Sequence, residues 1–175
     1  MSYPVGAKEV IGGDATMLID KFRTTLAEKE RELAALKKSG GTVGKEYNAN
    51  LLRFLKLKNE DKIGAMTQFD MMKKLSFDVV KFYTGFEKRQ QVVGNKLGAI
   101  AQSILYLQRE ILLMKQVLRN KRSWSSGDFI KVMRDAGFET LENDEIITPT
   151  SIYLSEKNNA NINLSPTGEL VVEET

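Results

Sequence analysis

Between Gly94 and Ser123 the apolar positions fall at Leu97, Ile100, Ile104, Leu107, Ile111, Met114 and Leu118. The steps alternate three and four, the spacing of a helix that buries a single seam, sustained over about three heptads. Leu105, Leu112, Leu113 and Val117 widen that seam into a broad face that must be covered. Two coverings satisfy it: other helices of the same chain, in a bundle, or copies of the same helix, in a self-associating coiled coil.

The same spacing recurs upstream. Asp14 is a good N-cap for a first helix reaching about Lys38, with Ile19, Phe22, Leu26, Lys29, Leu33 and Leu36 on one seam. Lys29 is its one polar position, either fixing register in an oligomer or snorkelling out of a small bundle. Ser39-Gly40-Gly41 predicts its end, with glycine in the left-handed C-terminal position. A shorter helix is predicted over Lys45–Lys58, with Tyr47, Leu51, Leu52, Phe54 and Leu55 apolar and Arg53, Lys56, Lys58 and Lys62 opposite. Asn59–Gly64 reads as a loop or kink. A third long helix is predicted over Ala65–Arg89, with Phe69, Met72, Leu75, Val79, Phe82 and Phe86 on one side and a kink at Gly85. Ser76-Phe77-Asp78-Val79-Val80 and Phe82-Tyr83 also suit a strand. Gly94 separates this helix from the central one unless the two run on continuously. Downstream of the central helix, Ser125 or Ser126 caps a short helix carrying Phe129, Ile130, Val132 and Met133, and Gly137 stops it.

The period then changes from helical to alternating. Ile146-Ile147, Ile152 with Leu154, Ile162 with Leu164, and Leu170 with Val172 predict short strands, separated by turn residues at Pro149, Asn158-Asn159 and Ser165-Pro166-Thr167-Gly168. Isolated hairpins are marginal in water, so these strands need the helices or a partner to lie on. The fold class that follows is mainly α: a long-helix bundle or coiled coil with a small C-terminal antiparallel β appendage. The predicted parts are an extended, Gly-rich arm over 1–13, a helical body over 14–138 and an acidic β-hairpin tail over 139–175.

Charge sharpens this division. The 175 residues carry a net charge of +3. From Glu139 onward, however, eight acids face one base, Lys157, whereas the preceding part holds 25 bases and 15 acids. An acidic appendage on a basic body implies either docking of the tail on its own or a neighbouring copy, or a body that meets nucleic acid.

Composition narrows the chemistry. The chain has no cysteine and no histidine, which removes disulfides, thiol catalysis, thiolate or histidine metal sites and any Ser-His-Asp triad. The expectation is a protein that is not an enzyme and holds no cofactor and no metal. Gly40-Gly41-Thr42-Val43-Gly44-Lys45 approaches a phosphate-loop spacing, but Glu46 stands where Ser or Thr is required, and a charged helix precedes it instead of a buried strand. Acid pairs such as Glu142 with Asp144 and Glu145, or Glu173 with Glu174, lack a defined cation loop and read as an exposed acidic edge. No uncharged apolar run is long enough to span a bilayer, and Met1–Gly13, with Pro4, Lys8 and Glu9, is unlike a signal peptide. The expected location is the cytoplasm or a virion assembled there, with no membrane partner.

One basic cluster has a nucleic-acid profile. Arg119, Lys121 and Arg122 stand beside Trp124, pairing phosphate-neutralising cations with an indole able to stack on a base. Cations at a helix C-terminus followed by an anchoring tryptophan account for the same residues. The leading expectation is a structural or assembly protein that oligomerises through long amphipathic helices, as a virion or similar particle component, with other subunits as partners. The alternative is a basic helical nucleic-acid-binding or regulatory protein.

Overall fold

The structure, a computed structural model, describes residues 16–119, 126–140, 145–149 and 160–174. It is mainly helical, with two small antiparallel two-stranded sheets near the C-terminus. The order is α1 (Thr16–Leu55), α2 (Gln68–Lys74), α3 (Phe77–Thr84), α4 (Phe86–Arg119), α5 (Ser126–Asp135), β1 (Glu139–Thr140), β2 (Ile146–Ile147), β3 (Ala160–Leu164) and β4 (Leu170–Glu174). The predicted arm and the predicted strand at Ile152 and Leu154 lie outside the described residues. None of the described helices is long and apolar enough to cross a membrane.

The described residues form two compact units, and α1 and α4 contribute to both. The first contains 16–35 of α1, 103–119 of α4, α5, the β1–β2 pair and 173–174. Its core joins Leu18, Phe22 and Leu26 of α1, Ile111, Met114 and Val117 of α4, Phe129, Ile130 and Met133 of α5, and Phe138 and Ile146. Phe22 meets Phe129 and Phe138 edge-on, at centroid separations of 5.6 and 5.3 Å, a geometry that adds about 0.5–1.5 kcal/mol per pair to burial itself. Gly137 ends α5 as the sequence predicts. At φ +92° its N–H donates to the Arg134 carbonyl (2.8 Å), and the Phe138 N–H donates to the Met133 carbonyl (2.9 Å). That pair of bonds turns the chain so that Phe138 enters the core.

Lys29 does not snorkel out to water but turns to a partner within its own chain. Its ammonium forms an ion pair with Glu110, whose side chain is 1% exposed, and the Thr148 hydroxyl donates to the same carboxylate. Lys29→Met should therefore cost about 3 kcal/mol, toward the low end for a broken buried pair because Lys29 keeps some solvent contact. Lys29→Met combined with Glu110→Leu should recover most of that loss, since no charge is then left in the core. Urea midpoints of the two variants check this, and a double variant no more stable than the single one contradicts it.

The second unit contains 36–55 of α1, α2, α3, 86–102 of α4 and residues 161–172 of the β3–β4 hairpin. Here the sequence expectation is overturned twice. Helix α1 does not stop at Ser39-Gly40-Gly41 but runs unbroken through it. The glycines are there for close approach. A Cβ on Gly41 would lie 1.8 Å from the Gly168 carbonyl oxygen, and one on Gly40 would lie 2.7 Å from the Leu170 side chain. The hairpin thus seats on a notch in the helix, with Leu170, Val172 and Val43 buried. Good helix formers on both sides of the notch, Ala34-Ala35-Leu36-Lys37-Lys38 before it and Lys45-Glu46 after it, carry α1 across at about 1 kcal/mol per glycine.

The predicted third helix is instead two short ones. Ser76 Oγ accepts from the Val79 N–H and caps α3, as Thr67 Oγ1 accepts from the Asp70 N–H to cap α2. Gly85 separates α3 from α4, which therefore begins at Phe86, earlier than the predicted Gly94. An aromatic stack closes this unit: Phe54 lies parallel to Phe86 at 3.9 Å and to Tyr83 at 4.9 Å. The guanidinium carbons of Arg53 and Arg89 stand 4.1 and 4.6 Å from the Phe82 ring centroid, each a favourable cation–π contact.

Candidate interaction surface

The central seam is turned inward. Ile104, Leu107, Ile111 and Met114 are buried, and Leu97, Ile100 and Leu118 are half-buried. In the first unit the covering is supplied by α1, α5 and β2 of the same chain. Of the basic cluster, Arg119 is exposed at the end of α4, while Lys121, Arg122 and Trp124 lie outside the described residues. The glycine-lysine segment Gly40–Lys45 is helical throughout, with Thr42 Oγ1 donating to the Lys38 carbonyl one turn back, so its amides are committed to the helix and cannot cradle a phosphate. Among the described residues, no group of three or more acidic side chains is arranged to hold a metal ion.

The structure displays a different surface, on the second unit. Leu52, Phe69, Met72 and Phe77 are 68%, 72%, 70% and 78% exposed, and Leu55 is exposed beside them in sequence. Phe69 and Met72 share one face of α2 by their spacing of three. Phe77 is the first residue of α3. The sequence pattern places Phe69 and Met72 with Leu75, Val79, Phe82 and Phe86 on one side of a single long helix. The break after Lys74 resets the helical phase, which frees both side chains from that face. The signal in the sequence is Ser76 followed by Asp78, a capping serine with an acid in the first turn, embedded in an otherwise helical pattern.

Residues 51–90, which carry this surface, hold nine bases (Arg53, Lys56, Lys58, Lys62, Lys73, Lys74, Lys81, Lys88 and Arg89) against five acids. Lys58 and Lys73 lie over the rings of Phe54 and Phe69, at 6.0 and 5.8 Å. The chemistry is apolar contact area edged by cations. A surface of opposite character stands on the first unit. There Glu139 of β1 is the register partner of Ile147 in β2, and Glu139, Glu145 and Ile147 are all exposed.

The second unit also contains a cleft of about 500 Å³. It is lined by Gly44, Tyr47 and Asn48 of α1, Gly94, Leu97 and Gly98 of α4, Ile162, Asn163 and Leu164 of β3, and Leu170 of β4. None of these residues is charged. Comparisons with protein families, with curated proteins and with solved structures find no match.

Proposed function

We propose that the chain is a non-enzymatic assembly subunit that associates head to tail, the apolar, lysine-edged surface of one copy meeting the acidic β1–β2 ribbon of the next. The observation that carries this reading is the set of large apolar side chains held in solvent on ordered helices at Leu52, Leu55, Phe69, Met72 and Phe77. Large apolar side chains held in solvent, with cations near them in the chain, mark an interaction site. Charge complementarity supports a second copy as the occupant, because the basic balance of 51–90 faces the acidic balance from Glu139 onward. Two different patches meeting in this way propagate, closing into a ring or extending as a filament. A virion or another repeating particle is the setting that suits such a subunit.

Nucleic acid is the weaker reading for the same surface. Asp70 and Asp78 sit in the first turns of α2 and α3 and would repel phosphates, and of the five exposed apolar side chains only Phe69 and Phe77 carry a ring on which a base can stack.

The test is Phe69→Glu with Met72→Glu and Phe77→Glu. All three side chains are exposed, so helical signal and melting should stay close to wild type. Sedimentation should show the assembled mass falling to that of a single chain. A variant that keeps the wild-type assembled mass contradicts the reading. So does a wild type that stays monomeric but binds single-stranded RNA or DNA.

A further inference from the structure

We infer that Arg53 determines the specificity of the contact between copies by receiving the Glu139 carboxylate of the next copy; this rests on the assembly reading above.

Arg53 belongs to a group whose charge is unanswered within the described chain. Its guanidinium carbon stands 4.1 Å from the centroid of the buried Phe82 ring, and that of Arg89 stands 4.6 Å from the same centroid. One ring therefore gathers two cations, and each raises the electrostatic cost of the other. Arg89 is half-buried and committed, because its Nη2 donates to the Phe82 carbonyl at 2.7 Å. Among the described residues, neither arginine forms an ion pair with a carboxylate. Arg53 is the exposed member of the two. Stacking on the ring holds its planar fork in place before a partner arrives, so it loses less freedom on pairing than a free lysine does. A carboxylate docking there meets the field of both arginines. Leu52 and Leu55, in the same turn of α1, are exposed. What the second unit offers is thus a fixed guanidinium with aliphatic side chains beside it in the helix.

The first unit carries the counterpart. Glu139 and Ile147 stand directly opposite one another in the β1–β2 ribbon. Their side chains therefore leave the same face, with Cβ atoms about 5 Å apart. Both are exposed, so a carboxylate and an aliphatic side chain are presented together on paired main chain. The other acids of the described tail are less suited. Glu174 is paired with Arg109, and Glu145 is engaged within the chain. Glu139 forms no ion pair among the described residues.

The test is a charge exchange, read by sedimentation velocity as the concentration at which half of the chain is assembled. Arg53→Glu alone and Glu139→Arg alone should each raise that concentration roughly tenfold or more, because each sets like charges against one another. Both changes in one chain rebuild the pair with its ends exchanged and should return the concentration to within about threefold of wild type. Glu173→Arg, an exposed acid of the same tail used in place of Glu139→Arg, should rescue nothing. Both exchanged positions are exposed, so helical signal should hold. Should Arg53→Glu lose it, Arg53→Gln and Glu139→Gln replace the reversals, and the second change should then add little to the loss caused by the first. A double reversal as weak as either single one, additive losses in the glutamine pair, or equal rescue by Glu173→Arg would show this pairing to be wrong, while a wild type that assembles keeps the assembly reading. A wild type that stays a single chain at every concentration sinks both.

Discussion

Ile104→Asp together with Ile111→Asp is expected to abolish cooperative folding of the chain. Ile104 is fully buried and Ile111 lies in the cluster that joins α1, α4 and α5. Each substitution removes a large apolar side chain and places a carboxylate where solvent does not reach, for a loss on the order of 4 kcal/mol apiece. Two such losses, about 8 kcal/mol together, are comparable with the 5–15 kcal/mol by which a typical domain is stable. The measurement is circular dichroism during thermal unfolding: the broad, weakly cooperative trace of an unfolded or molten chain is predicted. A sharp transition with wild-type helical signal would mean that the α4 seam is not the core of the first unit.

Gly41→Ala is the second large effect, and its size comes from backbone meeting backbone. The added methyl would sit 1.8 Å from the Gly168 carbonyl oxygen and 2.9 Å from its carbon. No rotamer relieves this; either α1 bends or the β3–β4 turn lifts away. Alanine recovers about 1 kcal/mol of helix propensity. Overpacking of a closed contact costs about 1–3 kcal/mol or more, and lifting the turn also loosens Leu170 from its buried seat. The expected outcome is net destabilisation by about 2 kcal/mol, with hairpin amides exchanging faster than those of the first unit. Gly98→Ala is the control of opposite sign. With open space at its Cβ, it should stabilise the chain by up to about 1 kcal/mol. Equal effects at the two positions would show that the notch is not a close contact.

This pair of glycines also explains where sequence reasoning succeeds and where it stops. Helix existence and type were legible because a three-four spacing admits one reading, and the seam from Leu97 to Leu118 lies within one helix as its pattern requires. Gly137 was legible as a stop because the apolar run ends there and the period changes after it. Gly40-Gly41 was not legible. A glycine pair that ends a helix and one that admits another backbone look alike in sequence, and the partner that decides between them, Gly168, is far along the chain. The sequence reading that the hairpin lies on the helices or on a partner leaves open which surface it meets; in the structure it packs against Gly40 and Gly41 of α1.

The interaction surface was hidden for a different reason. The pattern over Ala65–Arg89 is regular enough to place Phe69 and Met72 on one side of a single long helix. Only the cap at Ser76, with its Oγ accepting the Val79 N–H, shows that the helix restarts and the phase is lost. A short capping motif competes poorly against a long apolar period when both are read from composition alone. Lys29 was ambiguous because a seam lysine has several uses. Its buried partner Glu110 sits next to seam residue Ile111, where it reads as one more polar neighbour of an amphipathic helix.

Association between copies through complementary charged and apolar surfaces is the proposal on which the rest turns. Sedimentation velocity of the wild-type chain over a hundredfold range of concentration, at low and at high salt, tests that directly. The prediction is a weight-average mass that rises above the 19.7 kDa of one chain with concentration and falls back as salt screens the lysine-to-carboxylate contacts. A mass fixed at one chain under every condition would contradict it.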